Sequence, residues 1–184
     1  MSDPEAQALE YIKQAESKKS KGFFGGLLGG GSSGYEQTAD LYQKAANCYK
    51  IAQKFDKAGQ VFEKCAQVYA NADVEHEAIN CYQSAAVAYL NVSVEDAVRC
   101  YKKVLQMQID RGRFVQAAKT HADLAELLEN RNGDRNQIAE HYKEASKFYN
   151  QENQKSSAYK YETKYACALA SSGNYSKAAE VFEK

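Results

Sequence analysis

Tryptophan is absent from this 184-residue chain, and its single proline stands at position 4. Beyond that residue no proline interrupts a helix by removing an amide donor. Neither sign of charge is in excess, since 24 Lys and Arg balance 24 Asp and Glu. That argues against a general nucleic-acid binder, which would carry an overall basic surplus. No apolar run approaches the roughly 20 residues of a membrane span, and the short stretch Ala6 to Ile12 is too polar for a signal peptide. The expectation is a soluble, cytoplasmic protein. Histidine occurs three times, as His76, His121 and His141, with no HExxH and no two at helical spacing. Each reads as a core or surface histidine rather than a metal ligand. No serine nucleophile elbow and no acidic pair in an apolar setting are present, so catalysis is not expected, and no cofactor or metal is called for. The five cysteines, Cys48, Cys65, Cys81, Cys100 and Cys167, are odd in number and lack C-x-x-C spacing. Inside helical segments they read as reduced, packed thiols, with disulfide and metal roles the weaker alternatives.

What the chain has in abundance is one phrase, rewritten many times. In Glu77–Tyr89 an aromatic (Tyr82) has Ala78 four before it, Ala86 four after it and Tyr89 seven after it. Those offsets share one face of an α-helix. The small residues let a neighbouring helix approach, and the aromatics fill the space that approach leaves. The phrase recurs over Lys57–Tyr69 and again from Ile138 through Tyr142 and Ala145 to Tyr149. Its anchors are Tyr42, Phe62, Tyr82, Tyr101, His121, Tyr142, Glu162 and Phe182, with gaps of 20, 20, 19, 20, 21, 20 and 20. One helix per period, or one hairpin per two, is the signature of an α-solenoid. The predicted fold is all-α, a tetratricopeptide-like solenoid of antiparallel helical hairpins.

Three regions follow from the punctuation. Residues 1–21 form an amphipathic helix with Ala8, Leu9, Ile12 and Ala15 on one stripe. Residues 22–34 hold seven of the eleven glycines and read as a long loop that cannot stay helical. Residues 35–184 are the helical-repeat domain. Ser93 and Asp134 are placed as N-caps, as are Asp56, Asp73 and Asn174, while Gly112, Gly133 and Gly173 suit left-handed turns. Ala178–Phe182 begins another repeat, so further repeats are expected past Lys184.

The glycine-rich loop carries Phe23, Phe24, Leu27 and Leu28, with Lys18, Lys19 and Lys21 just before it. Large apolar side chains in a segment that should be solvated suggest a membrane-contacting tip. Each is worth roughly 1.5–3 kcal/mol if fully buried, and each lysine near an anionic leaflet about 1 kcal/mol. Such a loop gives weak, reversible attachment. The alternatives are a loop folded back over the first hairpin, or a linker. A phosphate-binding loop is disfavoured because Gly31 runs into Ser32 with no Gly-Lys-Ser/Thr.

Arg99, Lys102, Lys103, Arg111, Arg113 and Lys119 fall within 21 residues, opposed there only by Asp110. Lys155, Lys160 and Lys164 follow. Helices two apart in a hairpin stack share a surface, so Lys119 and Lys160 are expected to face the same way. This reads either as an ordinary solvated face or as a basic stripe for an acidic, elongated partner.

These segments together resemble the soluble NSF attachment proteins of the alpha type. The likeness rests on Phe23-Phe24-Gly-Gly-Leu27-Leu28-Gly-Gly after one helix, Ala45-Ala46-Asn47-Cys48-Tyr49-Lys50, and Gly112-Arg113-Phe114-Val115-Gln116-Ala117-Ala118-Lys119. Ala139-Glu140-His141-Tyr142 and Ser156-Ser157-Ala158-Tyr159-Lys160 complete it. The resemblance implies a non-enzymatic adaptor that grips the acidic SNARE four-helix bundle and presents it to the AAA+ ATPase NSF for disassembly. It implies SNARE contacts from Arg113, Lys119, Lys160 and Lys164, and membrane contact from Phe23, Phe24, Leu27 and Leu28. ATPase contacts would lie mainly in a C-terminal part not in this sequence. Leu90-Asn91-Val92 departs from a lysine pair that relatives tend to carry there. Competing readings are a generic tetratricopeptide-like peptide-binding scaffold, which a repeat near 40 rather than 34 disfavours, and a helical enzyme subunit, which the lack of any ligand constellation disfavours.

Overall fold

The computed structural model describes the backbone of residues 3–25 and 33–183, and the side chains of residues 3–19 and 34–183. Among these residues there are nine α-helices and no strand: α1 (Pro4–Gly25), α2 (Ser33–Ile51), α3 (Phe55–Asn71), α4 (Glu75–Tyr89), α5 (Val94–Asp110), α6 (Phe114–Asn130), α7 (Arg135–Gln151), α8 (Lys155–Ser171) and α9 (Tyr175–Phe182). From α2 onward successive helices are joined by short reversing turns, and α1/α2, α2/α3, α3/α4, α6/α7, α7/α8 and α8/α9 pack in pairs as antiparallel hairpins, the tetratricopeptide-like solenoid class expected from the repeats. The packing falls into two compact units, residues 1–104 and 105–184.

The stripe of small and aromatic residues is the buried face. Tyr42, Phe62, Tyr82 and Tyr142 are all buried, and so are the alanines four before and four after Phe62 and Tyr82. Ile138 and Ser146 fill the same positions around Tyr142 and are buried too. Of the two non-aromatic anchors His121 is buried and Glu162 half-buried, and Tyr101 is also half-buried. Phe182, on the eight-residue α9, is 59% exposed. In residues 105–184 the core gathers Leu105, Ala117, Ala118, Phe148, Tyr149 and Ala158. There Phe114 stacks on Phe148 at 5.6 Å, and Tyr161 stacks on Tyr149 at 5.5 Å. Cys65, Cys81 and Cys100 are buried thiols, with the Cys65 and Cys81 sulfurs 3.2 Å apart. Cys48 is half-buried and Cys167 exposed.

Two boundaries differ from expectation. α1 continues to Gly25, four residues past Lys21, and α2 begins at Ser33, ahead of Tyr35. A lone Gly22 costs a helix only about 1 kcal/mol, so the helix outlasts it and is described as far as the first of the paired glycines, Gly25-Gly26. Of the predicted loop, residues 26–32, with Leu27 and Leu28, lie outside the described residues, as do the side chains of Lys21, Phe23 and Phe24.

The turns share one construction. In six of them the second residue past the helix end is left-handed: Gln53, Asp73, Gly112, Asn132, Asn153 and Gly173, with φ between 52° and 84°. The next residue's N–H then reaches back five residues to a carbonyl, as Lys54 to Tyr49 at 2.8 Å and Gly133 to Leu128 at 2.8 Å. This Schellman closure satisfies carbonyls that the helix end leaves open. Where the spacing is 20, that bonding residue is also the N-cap of the next helix. Lys54, Val74, Arg113, Gln154 and Asn174 all sit near φ −84° to −96° and ψ 57° to 70°, and none caps with its side chain. The caps expected from Asp56, Asp73 and Asn174 are therefore not made: Asp56 lies inside α3, Asp73 is the left-handed residue, and Asn174 is held in the shared backbone geometry. Gly133 likewise leaves the left-handed position to Asn132.

The two turns that depart from 20 enter the next helix differently, although Arg131–Asp134 keeps the backbone closure through Asn132 and Gly133. The gap of 19 falls at Leu90–Ser93, where Val92, a β-branched residue unsuited to positive φ, is not left-handed, and Ser93 Oγ accepts from the Asp96 N–H at 3.1 Å. The gap of 21 falls at Arg131–Asp134. The extra residue lets Asp134 adopt an extended backbone (φ −60°, ψ 120°) and accept from the Asn136 N–H. These are the two side-chain caps that the sequence pattern also picked out.

Close helix approach has a specific test. A Cβ added to the buried Gly59 on α3 would sit 2.7 Å from the ring of Tyr89 on α4. That ring is fixed: its hydroxyl donates to Glu63 Oε1 at 2.8 Å, and the Arg99 guanidinium lies 5.7 Å from its centre. Gly59→Ala is expected to destabilise by about 1–3 kcal/mol through overpacking. Gly34→Ala, with no atom within 4 Å of the new methyl, is expected to be neutral or better. Urea midpoints for the two variants check this, and equal midpoints would contradict the packing argument.

Candidate functional site: a charged face on helices α6 and α8

Helix α6 presents Lys119, Asp123 and Glu126 at offsets of four and seven, one side of the helix. Helix α8 presents Lys160 and Lys164 one turn apart. The two sides meet where Lys164 Nζ donates to Glu126 Oε1 at 2.7 Å. Lys119 and Lys160 therefore lie on the same α6/α8 side, each nearer the start of its helix. Both are exposed.

The four basic residues predicted to bind a partner differ in their surroundings. Arg113 is half-buried just before α6, its backbone fixed by an N–H bond to Gln108 O at 2.8 Å. Lys119 has Asp123 one turn on, close enough for mutual attraction. Lys160 stands 5.0 Å over the Tyr161 ring and, among the described residues, has no carboxylate partner. Lys164 is the most engaged. Besides Glu126 it lies 3.4 Å from the Tyr142 hydroxyl and 5.0 Å over the Tyr142 ring. That hydroxyl donates to Glu129 Oε2 at 2.6 Å, and burial together with Glu129 raises its pKa. The face is thus cationic with carboxylates interleaved. Asp123, Glu126 and Glu129 lie beyond residue 119, where the count of basic residues in sequence stopped. Their helical offset from Lys119 was the available signal.

Less is visible of the residues expected to touch a membrane. Lys18 and Lys19 are exposed near the end of α1, with Lys18 Nζ donating to Gln37 at 2.8 Å. No described helix is long and apolar enough to cross a membrane.

Sequence reading missed a histidine pair. His121 on α6 and His141 on α7 bring their Nδ1 atoms to 2.9 Å. They are 20 residues apart, one repeat period, which is how α6 and α7 set them side by side. His121 also stacks near Phe148. Burial, and then the neighbouring His141, lower the His121 pKa to about 4, with Glu140 acting against them and Lys147 with them. No group of three or more potential metal ligands occurs among the described residues. His76 is exposed.

The chain matches the family model for soluble NSF attachment protein over residues 6–184. It belongs to the soluble NSF attachment protein family. Its relatives include the human alpha-soluble NSF attachment protein, 34% identical over the whole of this chain and 62% of that protein. The vesicular-fusion protein SEC17 of Komagataella phaffii is 35% identical over 97% of this chain and 62% of that protein. The chain thus spans under two thirds of the length of these family members. Among solved structures it is similar to the crystal structure of BtubC (BKLC) from P. vanneervenii, with a TM-score of 0.52 and 13% identity, covering all of this chain and 89% of that one. At that identity the likeness speaks for the helical fold alone.

The His121 proton sets a pH dependence. Its folded-state pKa near 4 lies below the ordinary 6.5, so the unfolded chain takes up the proton first. Stability from this group is full above about 6.5 and declines as pH falls towards 4, by up to about 3 kcal/mol. His121→Phe, which restores an aromatic anchor, is expected to lose less stability than the parent between pH 7 and 4.5. Parallel declines in urea midpoint for both proteins would contradict this.

Proposed function

We propose that this chain is a non-enzymatic adaptor that binds the SNARE four-helix bundle and a membrane surface, and recruits an NSF-type AAA+ ATPase that takes the bundle apart in vesicle fusion. The observation that carries this reading is the family match over residues 6–184, with relatives named as NSF attachment and vesicular-fusion proteins. The α6/α8 face supports it. Lys119 and Lys160 are exposed on one side, and Arg113 and Lys164 flank them. A row of cations on rigid helices suits a long acidic rod, steering its approach and fixing its orientation. The adaptor works peripherally from the cytoplasm, with Phe23, Phe24, Leu27 and Leu28 dipping into the bilayer and Lys18, Lys19 and Lys21 against anionic headgroups. No single side chain dominates, so attachment is reversible and gains strength from several copies on one bundle.

Two measurements test the two contacts. Lys119→Glu with Lys160→Glu is expected to weaken binding to an assembled SNARE bundle at least about fivefold in low salt, with the difference shrinking as salt screens the charges. Unchanged binding would return the face to an ordinary solvated surface. Replacing Phe23, Phe24, Leu27 and Leu28 with Ser is expected to reduce flotation with anionic liposomes while leaving helicity intact. Unchanged flotation would remove the membrane role.

A further inference from the structure

On the α6/α8 face one cation is already taken. Lys164 donates to Glu126 Oε1 at 2.7 Å, across helices and 38 residues apart in sequence. Its neighbour Lys160, one turn earlier, stands over an aromatic ring and has no carboxylate partner among the described residues. The Lys164–Glu126 pair is partly exposed, with side chains 35% and 44% accessible. Water and a competing carboxylate therefore reach it. Beneath Lys164 the Tyr142 ring is buried and its hydroxyl is tied to Glu129. The ammonium would stay poised over that ring if Glu126 let go.

We propose that Glu126 is a built-in competitor for the partner's carboxylates: it occupies Lys164 in the unbound chain and must be displaced before Lys164 can contribute to binding. The inference rests on the adaptor reading above and adds a determinant of specificity to it. An isolated carboxylate meeting Lys164 exchanges one ion pair for another and gains little. A partner that presents carboxylates in a row engages Lys119 and Lys160 first, and so holds its next carboxylate at high local concentration beside Lys164. The face therefore favours clustered acidic side chains on a rigid rod over scattered ones. Because exposed ion pairs are individually weak, release costs little, and the effect is a tuning rather than an on–off switch.

The test is a set of affinities for the assembled SNARE bundle at low salt, with circular dichroism confirming equal helicity. Glu126→Gln keeps the side chain's size and removes its charge. It is expected to tighten binding by about two- to fivefold. In a Lys164→Gln background the same change is expected to give no gain, because there is no ammonium left to release. Glu126→Gln that leaves binding unchanged or weaker overturns the proposal. An equal gain with and without Lys164 also overturns it, since that would be removal of a repulsive charge rather than release of a cation. Lys160→Glu separates the two levels. If it weakens binding while Glu126→Gln fails to strengthen it, the competitor idea alone falls. If Lys160→Glu has no effect, the adaptor surface and the competitor fall together.

Discussion

The structure depends on how closely two helices can approach when one presents alanine or glycine and the other a ring. Gly59 against Tyr89 is the tightest among the described glycines, with no room for a single methyl. Alanines flank Phe62 and Tyr82 four residues either side, and all are buried. A ring wedged between small residues leaves no slack for a helix to rotate or slide. Within each compact unit, surface side chains therefore inherit fixed positions from the core. The rigidity that a charged face needs is built at the buried stripe, not among the charges themselves.

The fold was legible because the stripe repeats. An aromatic with small residues four to either side defines which face is buried, and a cadence near 20 defines where each helix starts. The charges were half legible. Offsets along α6 and α8 place Lys119 and Lys160 on a common side. The Lys164–Glu126 contact joins residues 38 apart, and the packing of both α6 and α8 against α7 brings them together. The histidine pair was hidden for a related reason. His121 and His141 are one period apart, so no short motif joins them, and their meeting depends on how α6 lies against α7.

The caps show where propensity yields to context. Asp56, Asp73 and Asn174 are residue types that favour N-caps, yet none caps, because a turn with a spacing of 20 makes one residue serve two helices. Its N–H is spent closing the helix before, and its backbone is drawn away from the extended geometry a side-chain cap uses. Ser93 and Asp134 cap because their turns are one residue shorter or longer. The α1 boundary moved for a simpler reason: single glycines weaken a helix without ending it.

That turn construction has a consequence for how such a chain can drift in length. One residue added inside a helix would rotate everything beyond it by about 100° and turn the buried stripe outward. At Leu90–Ser93 and Arg131–Asp134 the count changes by one and the rings on either side keep their phase, since the hinge absorbs the difference. Insertions and deletions can therefore accumulate at these elbows without disturbing the side on which the lysines of α6 and α8 are displayed.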